Sequence, residues 1–346
     1  MVNRKCDIPY DGCDVDKINS ASPVVNIDML REYVFYQKER THIYEQKNIL
    51  GLNPPYTKDE ILLNYRFTNT RRELDKESIY LIDNVLKSNI SIEDKLLNCI
   101  LFRFINKGII YDMYGGKIEF SKYKTKEELY IMLDKAKEWH NKSGLPKNGN
   151  AYLTSGSRRG IYMKLEKEFG SVERENNSLV YWLWKNSSDY TNVLSEKSFF
   201  TMYTKMLDLV GLSNFIAYQV LIDLTYASEN EFPFSENEFV ISGPGCDRGI
   251  DHFVKDKDGL TNDEFMFWLR DNIDRLCKEN NIDWNPQEMF NFLNEDSRNW
   301  GVMQIENSFC EFDKYIRTKY NGKRPKNKYN GKRPKNKYNG QGEKLF

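Results

Sequence analysis

This chain lacks the long apolar runs and clustered metal ligands that mark several common protein classes. No uninterrupted apolar stretch in its 346 residues reaches membrane-spanning length. The N-terminal Met-Val-Asn-Arg-Lys-Cys-Asp has no signal-peptide core. No membrane partner is expected, and the reading is an intracellular protein of cytoplasm or nucleus. Histidine is scarce, with only His42, His140 and His252, so a histidine-rich metal centre is not expected. The six cysteines, Cys6, Cys13, Cys99, Cys246, Cys277 and Cys310, are scattered without paired spacing. That distribution argues for reduced thiols rather than a disulfide framework. Cys6 and Cys13 have no companion pair to complete a zinc site.

Familiar catalytic signatures are missing too. There is no Gly-x-x-x-x-Gly-Lys-Ser/Thr, so the sequence carries no P-loop kinase site. Gly156-Ser157-Arg158-Arg159-Gly160 is too short for one and lacks the lysine. Neither a Gly-x-Ser-x-Gly elbow nor a His-Glu-x-x-His helix occurs. Asp256-Lys257-Asp258-Gly259 echoes a calcium loop, but Phe265 stands where the closing Glu belongs, so a surface turn is expected. No metal and no cofactor is expected.

What is present is charge, unevenly placed. The formal net charge is zero, yet Lys314 to Phe346 holds twelve Lys or Arg against the single acid Glu343, leaving the rest of the chain at −11. The split suggests a body with its own pocket and a basic arm for a polyanion. Within that arm Tyr-Asn-Gly-Lys-Arg-Pro-Lys-Asn-Lys occurs at 320–328 and again at 329–337. Frequent Pro and Gly, with no apolar content beyond Tyr, predict a disordered basic tail over 319–346. Such a tail either binds phosphates with strong salt dependence or merely aids solubility.

Between the ends the pattern is helical. Residues 1–24 are polar with turn signals and are expected to lack order. Residues 25–318 form the body, with helices predicted over 26–50, 57 onward (capped by Thr57 with Glu60), 75–86, 92–106, 126–140, 158–169, 178–186, 195–209, 261–278, from Asn285-Pro286, and 300–319. Only short stretches, Lys117–Tyr123 and Phe239–Ile241, look extended. The expected fold class is all-α.

Three stretches carry the chemical candidates. In Leu209–Asp251, Gly211 separates two helical patterns and Ser213 or Asn214 can cap the second, which exposes N–H groups suited to a nucleic-acid phosphate. Gly243-Pro244-Gly245 follows as a tight turn that a ligand can approach closely. A plain C-cap and a plain loop are the ordinary readings of the two features. In Arg66–Asp75, Arg66, Arg71 and Arg72 crowd a helix entrance with Asn69 and Asp75. Read as helix, Arg71 and Arg72 share a face with Asp75, giving either a solvated salt-bridge face or an anion pocket. In Glu306–Lys314, Glu306, Cys310, Asp313 and Lys314 lie near one helical face while Phe309 and Phe312 point inward. Cys310 reads as a buried small residue or as a nucleophile.

Four ordered blocks resemble a known family. They are Thr57-x-Asp59-x-Ile61-Leu62-x-x-Tyr65-Arg66-Phe67-Thr68-Asn69 with Arg72-Glu73-Leu74-Asp75, then Phe215-Ile216-Ala217-Tyr218-Gln219 with Asp223-Leu224. Phe239-Val240-Ile241-Ser242-Gly243-Pro244-Gly245 with Arg248-Gly249 is the third, and Glu306-x-x-Phe309-Cys310-Glu311-Phe312-Asp313-Lys314-Tyr315 the fourth. Together they are similar to the helical family found with 5-hydroxymethyluracil DNA kinases in viruses, also called alpha-glutamyl/putrescinyl thymine pyrophosphorylase. The resemblance covers about Asp28 to Arg317.

That resemblance implies a helix–hairpin–helix, DNA-glycosylase-like domain engaged in base hypermodification. A kinase phosphorylates the hydroxymethyl group of a modified uracil in DNA, and a helical protein replaces that phosphate with an amine from an amino acid or polyamine. The expected partners are DNA containing modified thymine, an amine donor and a separate 5-hydroxymethyluracil DNA kinase. Ser213 departs from the pattern, since glycine is usual there. Carboxylates such as Asp223, Asp251 or Glu306 can serve as base for the amine. Arg66, Arg72, Lys314 and the Gly243–Gly245 backbone can meet the leaving phosphate, with Arg248 beside them. Gln219 can read the edge of an extruded base. Two alternatives remain open: a non-catalytic DNA-binding module working with a kinase, and a glycosylase for a modified pyrimidine.

Overall fold

The computed structural model describes residues 11–146, 149, 155–286, 289 and 300–321. The tail from residue 322 and most of the helix expected from Asn285-Pro286 lie outside the described residues. The chain builds two compact units: unit 1 from Met1–Asp75 and Glu236–Phe346, and unit 2 from Lys76–Ser235.

Unit 1 begins with α1 (Val15–Ser20), β1 (Val24–Val25), α2 (Ile27–Tyr44) and α3 (Glu60–Asn64). Unit 2 runs through α4 (Lys76–Leu81), α5 (Ile92–Ile105), α6 (Gly108–Tyr111), α7 (Lys126–Ser143), α8 (Ser155–Phe169), α9 (Asn176–Lys185), α10 (Ser187–Thr191), α11 (Phe199–Leu207) and α12 (Asn214–Leu224). The chain then returns to unit 1 with α13 (Pro244–Phe253), β2 (Val254–Asp256), α14 (Asn262–Glu279) and α15 (Val302–Asn321). Among the described residues the sole sheet is the antiparallel pair β1–β2, so the fold is essentially all-α.

Several sequence expectations need correction. Residues 11–24, expected to lack order, include α1, capped by the Asp14 carboxylate accepting from the Lys17 N–H at 3.1 Å. Thr57 does not cap α3. Asp59 does, accepting from Ile61 and Leu62, while the Thr57 hydroxyl accepts the Asp59 N–H at 3.0 Å. Neither Lys117–Tyr123 nor Phe239–Ile241 forms a strand; strands occur at Val24–Val25 and Val254–Asp256. Strands of two and three residues are below the length at which alternation is visible in sequence.

Unit 1 has an aromatic core. Tyr33 on α2 meets Phe253, Phe309 and Phe312 at centroid distances of 5.4, 4.9 and 5.3 Å. Unit 2 is centred on α5, buried along nearly its whole length. Polar residues on such a helix need partners. Asn98 supplies them, donating to the Asp94 and Ile118 carbonyls and accepting from the Tyr111 hydroxyl and the Ile118 N–H.

Candidate functional site

Three of the four sequence blocks converge in unit 1, and glycine explains how. Gly243 is the N-cap of α13 and Pro244 its first residue, a position where proline's missing N–H costs nothing. The expected tight turn is therefore a helix N-terminus. A Cβ on Gly245 would sit 2.5 Å from the Cys310 sulfur, and one on Gly249 would collide with the Phe309 carbonyl oxygen. Two glycines one turn apart thus let α13 lie directly on α15. What approaches Gly245 closely is α15.

That packing sets the environment of Glu306. The side chain, 4 % exposed on α15, accepts the Gly243 N–H. Burial pushes its carboxyl up to about 7, partly opposed by Arg72 and that N–H and reinforced by Asp263 and Asp247. Asp263 accepts the Ser242 N–H at 2.7 Å, and burial raises its carboxyl as well. Asp247 accepts from the Asn262 amide at 2.6 Å. Three carboxylates therefore surround the first turn of α13. Burial holds the Cys246 thiol far above its ordinary range, and its sulfur lies 3.6 Å from that of Met266, so it is an inert thiol. Cys310 is half-buried against Gly245.

The Arg66–Asp75 block is a loop rather than a helix, closed by a short turn over Arg72–Leu74. The helical-face pairing of Arg71 and Arg72 with Asp75 therefore does not arise; Arg71 pairs with Glu73 at 2.6 Å instead. Arg40 on α2 organises the loop, donating to the carbonyls of Thr68 (3.1 Å) and Phe67 (3.2 Å) and to the Asn69 side chain (3.2 Å). Asn69 is the latch. Its amide donates to the Leu74 carbonyl at 2.8 Å, its N–H to Asp75 at 2.9 Å, and its carbonyl accepts from Asn307 at 2.7 Å. Burial pushes Asp75 up to about 7, with the Asn69 N–H pulling down and Glu311 adding to the rise. The Arg72 side chain is buried, and the backbone N–H of Arg72 donates to the Gln304 side-chain oxygen at 3.1 Å. Lys314 donates to Glu311 at 2.6 Å with its ammonium 5.1 Å from the Phe67 ring. Arg66 is exposed.

Arg248 pairs at 3.1 Å with buried Asp313, which also accepts from Arg317 at 2.8 Å. Asp251 is exposed on α13. Gln219 and Asp223 belong to α12 in unit 2. Asp223 is fully buried, and the Arg103 guanidinium donates to both its oxygens, one of them at 2.5 Å. A carboxylate held this way is a structural counter-ion, its oxygens already committed. The turn before α12 has Gly211 at φ +89°, as its left-handed position requires. Ser213 is the N-cap, with no side-chain capping bond.

Sequence reasoning missed Asp247, Asp263, Arg40 and Gln304. Asp263 lies in the Thr261–Glu264 capping box, whose helix-start signal accounts for an acid without any site. Arg40 and Gln304 carry no local signal. Among the described residues no group of His, Cys, Asp and Glu could hold a metal ion, and no helix is long and apolar enough to cross a membrane.

No solved structure matches this chain. A curated relative from Bacillus phage SP10, named 5-hmdU DNA kinase, is 25 % identical over 310 residues, covering 83 % of this chain and 46 % of the relative. The chain thus spans about half the length of that relative. The family model described as the helical domain of 5-hmdU DNA kinase matches residues 27–324, nearly the whole body built above. This chain belongs to the family of 5-hmdU DNA kinase helical domains.

Proposed function

We propose that this protein acts in the modification of 5-hydroxymethyluracil in DNA, replacing a phosphate or pyrophosphate on the 5-methylene of the base by an amine. Glu306 carries the reading. A carboxylate with its pKa pushed up to about 7, at the N-terminal turn of α13, is matched to a general base working at neutral pH. The kinship with a 5-hmdU DNA kinase supports the substrate, and the missing P-loop motif supports a step other than phosphorylation by this sequence.

In this reaction the C–O bond to the leaving phosphate breaks and a C–N bond to the amine forms. The amine proton passes to Glu306, and the phosphate departs with the C–O electron pair. Asp247 and Asp263 favour a donor that arrives as a cation, an amino acid or polyamine, and help strip its proton by keeping Glu306 basic. Arg72 and Arg66 supply positive charge for the leaving group. DNA carrying the phosphorylated base is the second substrate, and a separate kinase is the partner that makes it.

The test is nucleoside mass spectrometry. The protein is incubated with 5-phosphorylated or pyrophosphorylated hydroxymethyluracil DNA and a mixture of amino acids and polyamines. A new nucleoside carrying one amine establishes the transfer and names the donor. A released base supports a glycosylase instead, and unchanged DNA despite tight binding supports an accessory module.

A further inference from the structure

Unit 2 presents a surface on which aromatic rings and lysines are interleaved. It is formed by the start of α7, the end of α8 and one face of α9. Tyr130 and Phe169 are 41 % and 47 % exposed, far more than rings that serve a core. Both pack against half-buried Tyr181, at centroid distances of 5.9 and 5.8 Å, and Tyr181 in turn lies 6.0 Å from Trp184. The Trp184 indole N–H donates to the Tyr123 carbonyl at 2.8 Å, which fixes the ring and ties α9 to the segment before α7. The rings therefore form a pre-set platform.

Charge follows the same line. The segment leading into α7, Lys117-Ile-Glu-Phe-Ser-Lys-Tyr-Lys-Thr-Lys126, has four lysines against one acid, and all four are exposed. The Lys126 ammonium is 5.2, 5.5 and 5.6 Å from the rings of Tyr130, Phe169 and Tyr181. Lys185 is 5.5 Å from the Phe169 ring and pairs with Glu168. Glu127 is the acid in the exposed first turn beside them, while Glu128 is committed to the capping box of α7.

We propose that this face of unit 2 binds a single DNA strand, bases stacking on Tyr130 and Phe169 and phosphates meeting Lys122, Lys124 and Lys126. Exposed rings beside lysine ammoniums suit a strand whose bases are unstacked, because every base offers a π-face and every linkage an anion. A duplex offers no free base faces. The proposal goes beyond amine transfer: all its residues lie in unit 2, and its readout is binding.

The experiment is fluorescence anisotropy with the full chain and a labelled oligothymidylate of about 16 nucleotides, a length sufficient for such platforms. Y130A/F169A should weaken strand binding at least about tenfold, the expected loss for stacked bases, and leave duplex DNA of equal length within about twofold. K122Q/K126Q, at exposed positions that do not threaten the fold, should lower the salt slope by about 1 for each phosphate that is no longer neutralised. Unchanged strand affinity in the first variant, an equal loss on duplex, or an unaltered salt slope in the second would each overturn the proposal.

Discussion

Asp223 in unit 2 and Glu306 in unit 1 are buried in opposite ways. In unit 2, Asp223 is fully enclosed and receives both arms of the Arg103 guanidinium, while Asp94 accepts the N–H and hydroxyl of Ser121 at 3.0 and 2.6 Å. In unit 1, Glu306 and Asp75 receive backbone N–H groups, and Arg72 acts on both through space. Burial outweighs those donors and carries both carboxyls up to about 7. A carboxylate met by a guanidinium fork has both oxygens committed and serves the fold. One that is buried but only partly compensated keeps its proton near neutrality, as acid–base chemistry requires.

The sharpest way to break this contrast is at the locked pair. R103A should destabilise unit 2 by about 3–5 kcal/mol, because Asp223 is left buried without its counter-ion. Urea denaturation measures it; a loss below about 1 kcal/mol would show Asp223 reaching water and the contrast dissolving. E306Q should keep the fold yet lower amine transfer by about 10²–10⁴-fold, the usual contribution of a general base. A variant with the parental rate removes Glu306 from that role.

The pH dependence of stability tests the partly compensated kind. Glu306 moves from an ordinary 4.5 to about 7 in the fold, so its contribution to stability is fully present below about 4.5 and is lost as pH rises through about 7. The loss should reach roughly 3 kcal/mol in unfolding experiments at pH 5 and pH 8, because each pH unit between the unfolded and folded values is worth about 1.36 kcal/mol. E306Q should remove about half of the parental slope over this window, leaving a part of comparable size owed to Asp75, which moves from 3.8 to about 7. A parental profile that is already flat would mean that Glu306 is solvated. The smallest effect is expected for G249A, where a methyl group meets the Phe309 carbonyl and should cost about 1–3 kcal/mol through separation of α13 from α15. Thermal melting measures this, and an unchanged midpoint would show that the helices can part freely.

Much of this was legible beforehand. The Thr261–Glu264 box starts α14 where the pattern predicted, and Asn106 and Gly211 take the left-handed conformations that end helices. Glu306 was legible as a candidate base, but its high pKa was not, since that depends on Asp247, Asp263 and Gly243, some 43 to 63 positions away in the chain. Asp223 looked equally suitable until Arg103, 120 residues earlier, was found on it. Residue type identifies a carboxylate, while its neighbours decide what it does.

By itself the sequence determined the helical character, because three- and four-residue apolar spacing, capping boxes and glycine stops act within a few residues. It also determined family membership, through ordered blocks that survive in the chain as strings. Tertiary structure alone decided which carboxylates are tied to an arginine and which hold protons near neutrality, and which glycines let helices touch. It also turned an arginine-rich stretch into a latched loop. Those outcomes depend on desolvation and on partners distant in sequence, and both exist only once the chain has packed.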